Sequence, residues 1–207
     1  MTNRVPNSTH ALILAAGSSE RMGNPKQLLR IEGETMLNRC LRQVSAISFA
    51  GITLTLGAWA QQIIPTLPQH CFDIFINPDH ERGLGNSIAC SVRHILKSNR
   101  PESILLILSD QPFLNCEHLR TLIEAHNPGT EEILVSNYEN GASGPPVLIT
   151  QHFFEELCQL DGDKGAKSVI SQHQETCRMI DLNDFDPIDI DTSENYQTLL
   201  KQLRKRN

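Results

Sequence analysis

The sequence predicts an α/β fold, a mainly parallel central sheet in a three-layer arrangement, and three observations carry that prediction. Short apolar runs of strand length alternate with longer stretches of helical period from end to end. The helical stretches are apolar along one face only, so each has one side to lay on a sheet. The polar, glycine-bearing segments fall directly after strands, where the crevice of such a sheet takes its ligand. Repeated strand–helix units favour parallel pairing through right-handed crossovers.

Taken in order, residues 11–15 read as the first buried strand, and Met36, Leu37, Cys40, Leu41 and Val44 mark the first helix face. Residues 51–56 and 72–76 are the next strands, followed by a helix with Ile88, Val92, Ile95 and Leu96 on its buried side. Residues 103–108 are apolar enough to lie mid-sheet and lead into a helix faced by Leu119, Leu122 and Ile123. Residues 132–136 form a further strand, residues 141–146 read as a turn, and residues 147–149 continue as a strand. Tyr196, Leu199, Leu200 and Leu203 stripe a last helix. The segments 17–26, 77–87, 109–112 and 141–146 are then expected to share one rim. A chain of 207 residues suits one sizeable domain, taken here as 1–207.

A net charge of −6 argues against general nucleic-acid binding, which needs a basic field, but leaves room for a local phosphate pocket. The six cysteines show no C-x-x-C pair, so neither a zinc site nor a disulfide scaffold is expected; three lie on apolar faces and read as buried free thiols. No cleavable signal and no run long enough to span a bilayer is evident, which makes the cytoplasm the expected location.

The most informative stretch runs from Leu12 to Leu29. An apolar strand ends in Ala15-Ala16-Gly17, and the loop that follows carries Ser18, Arg21, Gly23 and Lys26. Small residues allow close approach of the main chain, and Gly17 and Gly23 are expected to take positive φ so that amides point inward. Arg21 and Lys26 add full charges, so the loop reads as a nucleoside triphosphate cradle. It is neither a Walker A nor a dinucleotide fingerprint; Gly83-Leu84-Gly85 lacks the third glycine, having Ile88 there.

Two acidic positions complete the pattern. Asp110, in Ser109-Asp110-Gln111-Pro112, closes a turn or caps a helix on one reading and holds a metal on the other. Beside a triphosphate loop the metal is preferred, and magnesium is the ion that binds one or two carboxylates with phosphate oxygens. Asp191, in Asp189-Ile190-Asp191-Thr192, is the second candidate ligand, although Thr192 or Ser193 there also suits a helix cap. Gly83 and Ser87 permit close contact with a base or ribose, or serve only as loop-to-helix punctuation.

Leu14-Ala15-Ala16-Gly17-x-Ser19-x-Arg21-Met22-Gly23, Pro25-Lys26-Gln27-Leu28-Leu29 and Ser109-Asp110-Gln111-Pro112 resemble the molybdenum cofactor nucleotidyltransferases, most closely the cytidylyltransferase branch. The resemblance continues through Asn77-Pro78-Asp79, Gly144, Gly162-Asp163-x-Gly165-Ala166 and Asp189-Ile190-Asp191-Thr192. It implies a Rossmann-like nucleotidyltransferase fold, CTP (or another nucleoside triphosphate), Mg²⁺ and a molybdopterin-type phosphate acceptor. Leu14, Ala15, Ala16 and Gly17 would line the base, Arg21 and Lys26 would hold the triphosphate, and Asp110 and Asp191 the magnesium. Lys26 and Asp110 would be the catalytic pair. A molybdenum hydroxylase or its maturation factor is the implied recipient, with no nucleic acid and no membrane involved. The chain departs from the family at His80, Pro145 and Lys167, where an aromatic residue, histidine and arginine are usual. Guanylyl or sugar-phosphate transfer on the same fold, or a non-catalytic cofactor carrier or insertion chaperone, are the alternatives.

Overall fold

The computed structural model describes residues 8–19, 22–69, 72–188, 190 and 192–206. Strand β1 (Thr9–Ala15) is buried along its whole length because both of its faces are covered. Ala11, Ile13 and Ala15 point into one core, Leu12 and Leu14 into the other, the period-2 alternation of a central strand. A two-stranded hairpin follows, β2 (Arg30–Ile31) and β3 (Glu34–Thr35), turned by Glu32 and Gly33 at φ 52° and 87°. Helix α1 (Met36–Ser45) starts where the Thr35 side chain accepts from the Asn38 amide. Then come β4 (Gly51–Leu56), the short α2 (Ala60–Ile63), β5 (Asp73–Ile76), α3 (Leu84–Ser98) and β6 (Ser103–Leu108). The second half holds α4 (Cys116–Ala125), β7 (Ile133–Tyr138), β8 (Ser143–Thr150), α5 (Phe154–Cys158), α6 (Lys167–Gln172), β9 (Cys177–Leu182) and α7 (Ser193–Arg206).

Seven strands form one sheet in the order β5-β4-β1-β6-β8-β7-β9. Pairing is parallel except along β8, which runs antiparallel to both β6 and β7. One face packs α1 and α4 through Leu37, Leu41, Val44, Leu119 and Leu122. The other packs α3, α5 and α6 through Ile88, Val92, Ile95, Leu157 and Val169, which completes the three layers. Ile31, Met36, Ile190 and Leu199 form a smaller third cluster that ties the hairpin to α7.

The expected elements are present, with three corrections. The predicted turn over residues 141–146 ends at Ala142: β8 already begins at Ser143 and carries Pro145-Pro146 inside it, with a register shift opposite Val135 and Ser136. Its direction still brings its first residues to the rim where the parallel strands end. Strand β9 was not expected; it is an edge strand with half of its residues exposed and one buried, so no apolar run announces it. Of the five described cysteines, all free thiols, Cys40 alone is buried, and burial pushes its pKa up to about 12. Cys71 lies outside the described residues. Among the described residues no helix is long and apolar enough to cross a membrane.

Candidate active site

The carboxyl ends of β1, β4, β5 and β6 feed a cavity of about 560 Å³ lined by Ala16, Gly17, Ser18, Lys26, His80 and Asp110 among others. Lys26 Nζ donates to Asp110 Oδ2 at 2.6 Å, and both side chains are only 15% exposed. The pair joins two loops 84 residues apart in sequence. The second carboxylate oxygen, Asp110 Oδ1, is buried without a hydrogen-bond partner.

The loop after β1 owes its shape to two side chains the sequence reading did not single out. Gln27, 1% exposed, donates through Nε2 to Ala15 O at 2.9 Å and to Gly17 O at 3.3 Å. Trp59 Nε1 donates to Ser18 O at 2.7 Å. In a trans peptide the carbonyl and the following N–H point opposite ways. Tying Ala15 O and Gly17 O to the buried amide therefore turns the Ala16 and Ser18 N–H groups away from Gln27. Ser19, at φ 54°, reverses the chain: its carbonyl accepts from the Met22 and Gly23 amides, and its hydroxyl from the Lys26 amide. Neither an amide nor an indole carries charge, so although Gln27 stands in the Pro25-Lys26-Gln27-Leu28-Leu29 block, nothing in the sequence marks it or Trp59 as a donor to this loop.

The predicted residues divide. Leu14, Ala16, Gly17, Ser18, Lys26, Gly83, Ser87 and Asp110 all line the cavity. Ala15 does not; it is buried at the strand end and contributes its carbonyl to Gln27. Gly23 takes the expected positive φ of 63° but is exposed away from the cavity. Gly17 does not have positive φ, the left-handed residue being Ser19, and a Cβ on Gly17 would meet no protein atom within 4 Å. Its missing side chain keeps space clear in the cavity and relieves no backbone strain. Arg21 and Asp191 lie outside the described residues. Ser87 is buried, and its hydroxyl already accepts from Asn77 Nδ2 at 3.2 Å.

Residues 77–87 are held to the opposite loop by main-chain contact. A Cβ on Gly83, at φ 95°, would stand 2.4 Å from Asp163 Oδ1 and 2.6 Å from Gly162. A Cβ on Gly85 would stand 2.7 Å from Asp161 O, and the Gly85 amide donates to Gly162 O at 2.7 Å. Only glycine fits such an approach. Arg82 pairs with Asp161 at 2.8 Å across the same seam, and hydrogen bonds from Arg82 and then from the Gly162 amide hold the Asp161 carboxyl below its usual range.

A second cavity of about 680 Å³ shares Leu14, Leu84, Leu108 and Asp163 with the first. Its walls are mainly apolar, with Lys164, Lys167 and Gln111 among the polar exceptions. All four rim segments meet as expected: residues 143–145 border the second cavity, the other three the first. Among the described residues the first cavity sets Lys26 against Glu81, Asp110 and Asp163, and no cluster of three metal-ligating side chains occurs.

Comparison with known proteins places this geometry. Residues 11–177 match the family described as "MobA-like NTP transferase domain". The purine catabolism protein PucB of Bacillus subtilis is 28% identical over 204 residues, 93% of this chain and 96% of PucB. Nicotine blue oxidoreductase of Paenarthrobacter nicotinovorans is 28% identical over 198 residues, 91% of this chain and 95% of that protein. The crystal structure of Rv0371c from Mycobacterium tuberculosis H37Rv, a complex with manganese, superposes with a TM-score of 0.79 at 30% identity, covering 93% of this chain and 98% of that one.

Proposed function

We propose that this chain, which belongs to the MobA-like NTP transferase domain family and is a nucleotidyltransferase, carries CMP from CTP to the terminal phosphate of a molybdopterin-type cofactor. Residues 1–207 act as one nucleotidyltransferase domain. The observation that carries the reading is the Lys26–Asp110 pair, 2.6 Å apart in a cavity that adjoins a second, more apolar one. Two substrates need two chambers with the transferred group between them. The choice of CTP rests on the resemblance to the cytidylyltransferase branch, which residues 109–112, 162–166 and 189–192 narrow beyond the loop of residues 14–29 shared across the superfamily.

A phosphate oxygen of the acceptor attacks the α-phosphorus of CTP in line; the bond from that phosphorus to the β-phosphate bridging oxygen breaks and pyrophosphate leaves. The second pKa of a phosphomonoester lies near 6, so the attacking group is dianionic at neutral pH and needs no general base. The chain's part is positioning and neutralisation of charge. Leu14, Ala16 and Gly17 border the base, and Ala15 behind them holds the loop through its carbonyl. Arg21 and Lys26 grip the triphosphate, with Ser18 and Gly23 shaping the loop, and Gly83 and Ser87 border the ribose. Three carboxylates in the lining of the first cavity, Glu81, Asp110 and Asp163, suit a polyphosphate only if a cation besides Lys26 joins them. Asp110, with one buried oxygen lacking a partner, fits that cation, and Asp110 and Asp191 would hold it. Bound Mg²⁺ would supply neutralising charge on the phosphate oxygens. The relative Rv0371c, crystallised with manganese, supports a divalent ion. The product then passes to a molybdenum hydroxylase or its maturation factor.

The test is pyrophosphate release measured with CTP, GTP, UTP and ATP, with and without molybdenum cofactor and Mg²⁺. CTP with cofactor and metal is expected to exceed the other three nucleotides by tenfold or more in kcat/KM. Preference for GTP, or turnover with a sugar phosphate instead, overturns the assignment. The likeness to nicotine blue oxidoreductase favours a second reading, and an oxidoreductase turnover without pyrophosphate release would select it.

A further inference from the structure

Two successive polar side chains after β6 serve different cavities: Asp110 lines the first and Gln111 the second. Gln111 is 5% exposed, and its Nε2 donates to Pro145 O at 3.2 Å. The Tyr138 hydroxyl donates to the same carbonyl at 2.5 Å. Both lone pairs of Pro145 O are thus engaged, and the amide cannot be reversed, because reversal would set Gln111 Oε1 against a carbonyl oxygen. Gln111 Oε1 is left buried with no hydrogen-bond partner. An acceptor stranded in this way is costly unless something supplies a donor.

The surroundings narrow what that something is. Leu106, Val135 and Val147 from the sheet and Ile88 from α3 make an apolar wall, with Lys164 and Lys167 on the border. A cavity of this size, apolar with a few placed polar groups, suits a small flat molecule. A sugar would bring hydroxyls against those walls and leave them unsatisfied. A planar heterocycle buries its faces there and offers N–H groups at its edge.

We propose that Gln111 is a specificity-determining residue of the acceptor: its Oε1 accepts a hydrogen bond from a ring N–H or ring amino group of a heterocyclic phosphomonoester. The ring occupies the second cavity and the phosphate end extends to Lys26 and Asp110. The inference rests on the reading above that the second cavity takes the acceptor. A ligand lacking the donor would leave the buried oxygen unpaired, so rejection follows from the same geometry as acceptance.

The experiment is a fluorescence titration of the full chain with 6-hydroxymethylpterin, a phosphate-free ring probe, and with its ring-N-methylated analogue, alongside calorimetric titration with CTP. In Gln111→Leu the dissociation constant for the pterin is expected to rise about 10- to 100-fold, the loss of one buried hydrogen bond, while that for CTP stays within twofold. The unaltered protein is expected to discriminate against the methylated analogue by a similar factor, a comparison that needs no variant to fold. Equal pterin binding by Gln111→Leu, equal affinity for the two probes, or no saturable pterin binding overturns the inference. Pterin discrimination without pyrophosphate release would sink the proposed reaction and leave the role of Gln111 standing.

Discussion

Replacing Lys26 by methionine removes one ammonium and little volume, and its consequences divide into two separable quantities. Unit charges 2.6 Å apart attract by about 6 kcal/mol gross at an effective dielectric of 20. Most of that offsets the desolvation of two side chains that are each 15% exposed. Stripping one partner from a largely buried pair costs about 3 kcal/mol, and the small exposure here puts the variant below that. The kinetic loss has a different origin. In the proposed reaction Lys26 faces the phosphates whose charge grows as pyrophosphate departs, and deleting one such donor costs about 100- to 1000-fold in kcat, or about 3–4 kcal/mol. Steady-state pyrophosphate release well below the melting temperature, with thermal unfolding recorded on the same preparation, separates the two. Added Mg²⁺ is expected to restore part of the lost melting temperature by binding the folded state, and none of the lost kcat. A variant turning over within threefold of the parent would refute the assigned role, whatever its stability.

Gln27→Leu keeps the bulk of a buried side chain but frees the Ala15 and Gly17 carbonyls. The KM for nucleotide is expected to rise about tenfold, with the acceptor KM unchanged; parallel rises in both would reduce Gln27 to a packing residue. Asp110→Asn should abolish activation by Mg²⁺ while leaving the fold intact, and an unaltered metal titration would remove Asp110 from the ligand set. His10, buried in β1, accepts or donates at Thr53 Oγ1 over 2.9 Å; burial lowers its pKa from 6.5 to about 4, with Asp73 opposing and His94 assisting. Between those two values the unfolded chain binds a proton that the native state refuses, so stability is full above pH 6.5 and falls as pH drops towards 4. The total loss is about 3 kcal/mol. Denaturant titrations of His10→Phe should show a shallower acid limb by that amount, and identical slopes would show that His10 is not the titrating group.

What could be read from the residues, and what could not, follows from where the physical signal lies. Strands buried on both faces, such as β1 and β6, announce themselves as unbroken apolar runs, and amphipathic α1 and α3 by their stripes. Strand β9 shows neither, because it lies at an edge with Arg178 and Met179 exposed. Pro145-Pro146 reads as a turn by composition, yet the pair sits in β8 where the ladder is already irregular. In the cavity, charge and glycine made Lys26, Asp110 and the loop of residues 14–18 conspicuous. Gln27, Trp59 and Gln111 stayed hidden because what matters about them is which carbonyl their N–H meets, a tertiary fact. The glycine at position 17 was singled out for the wrong reason: Ser19 takes the left-handed turn, and Gly17 leaves room.

Leu14, Leu84, Leu108 and Asp163 belong to both cavities at once. If the two cavities take the two substrates as proposed, one substitution at this shared border is felt on both sides, and a change of acceptor drags the nucleotide preference with it.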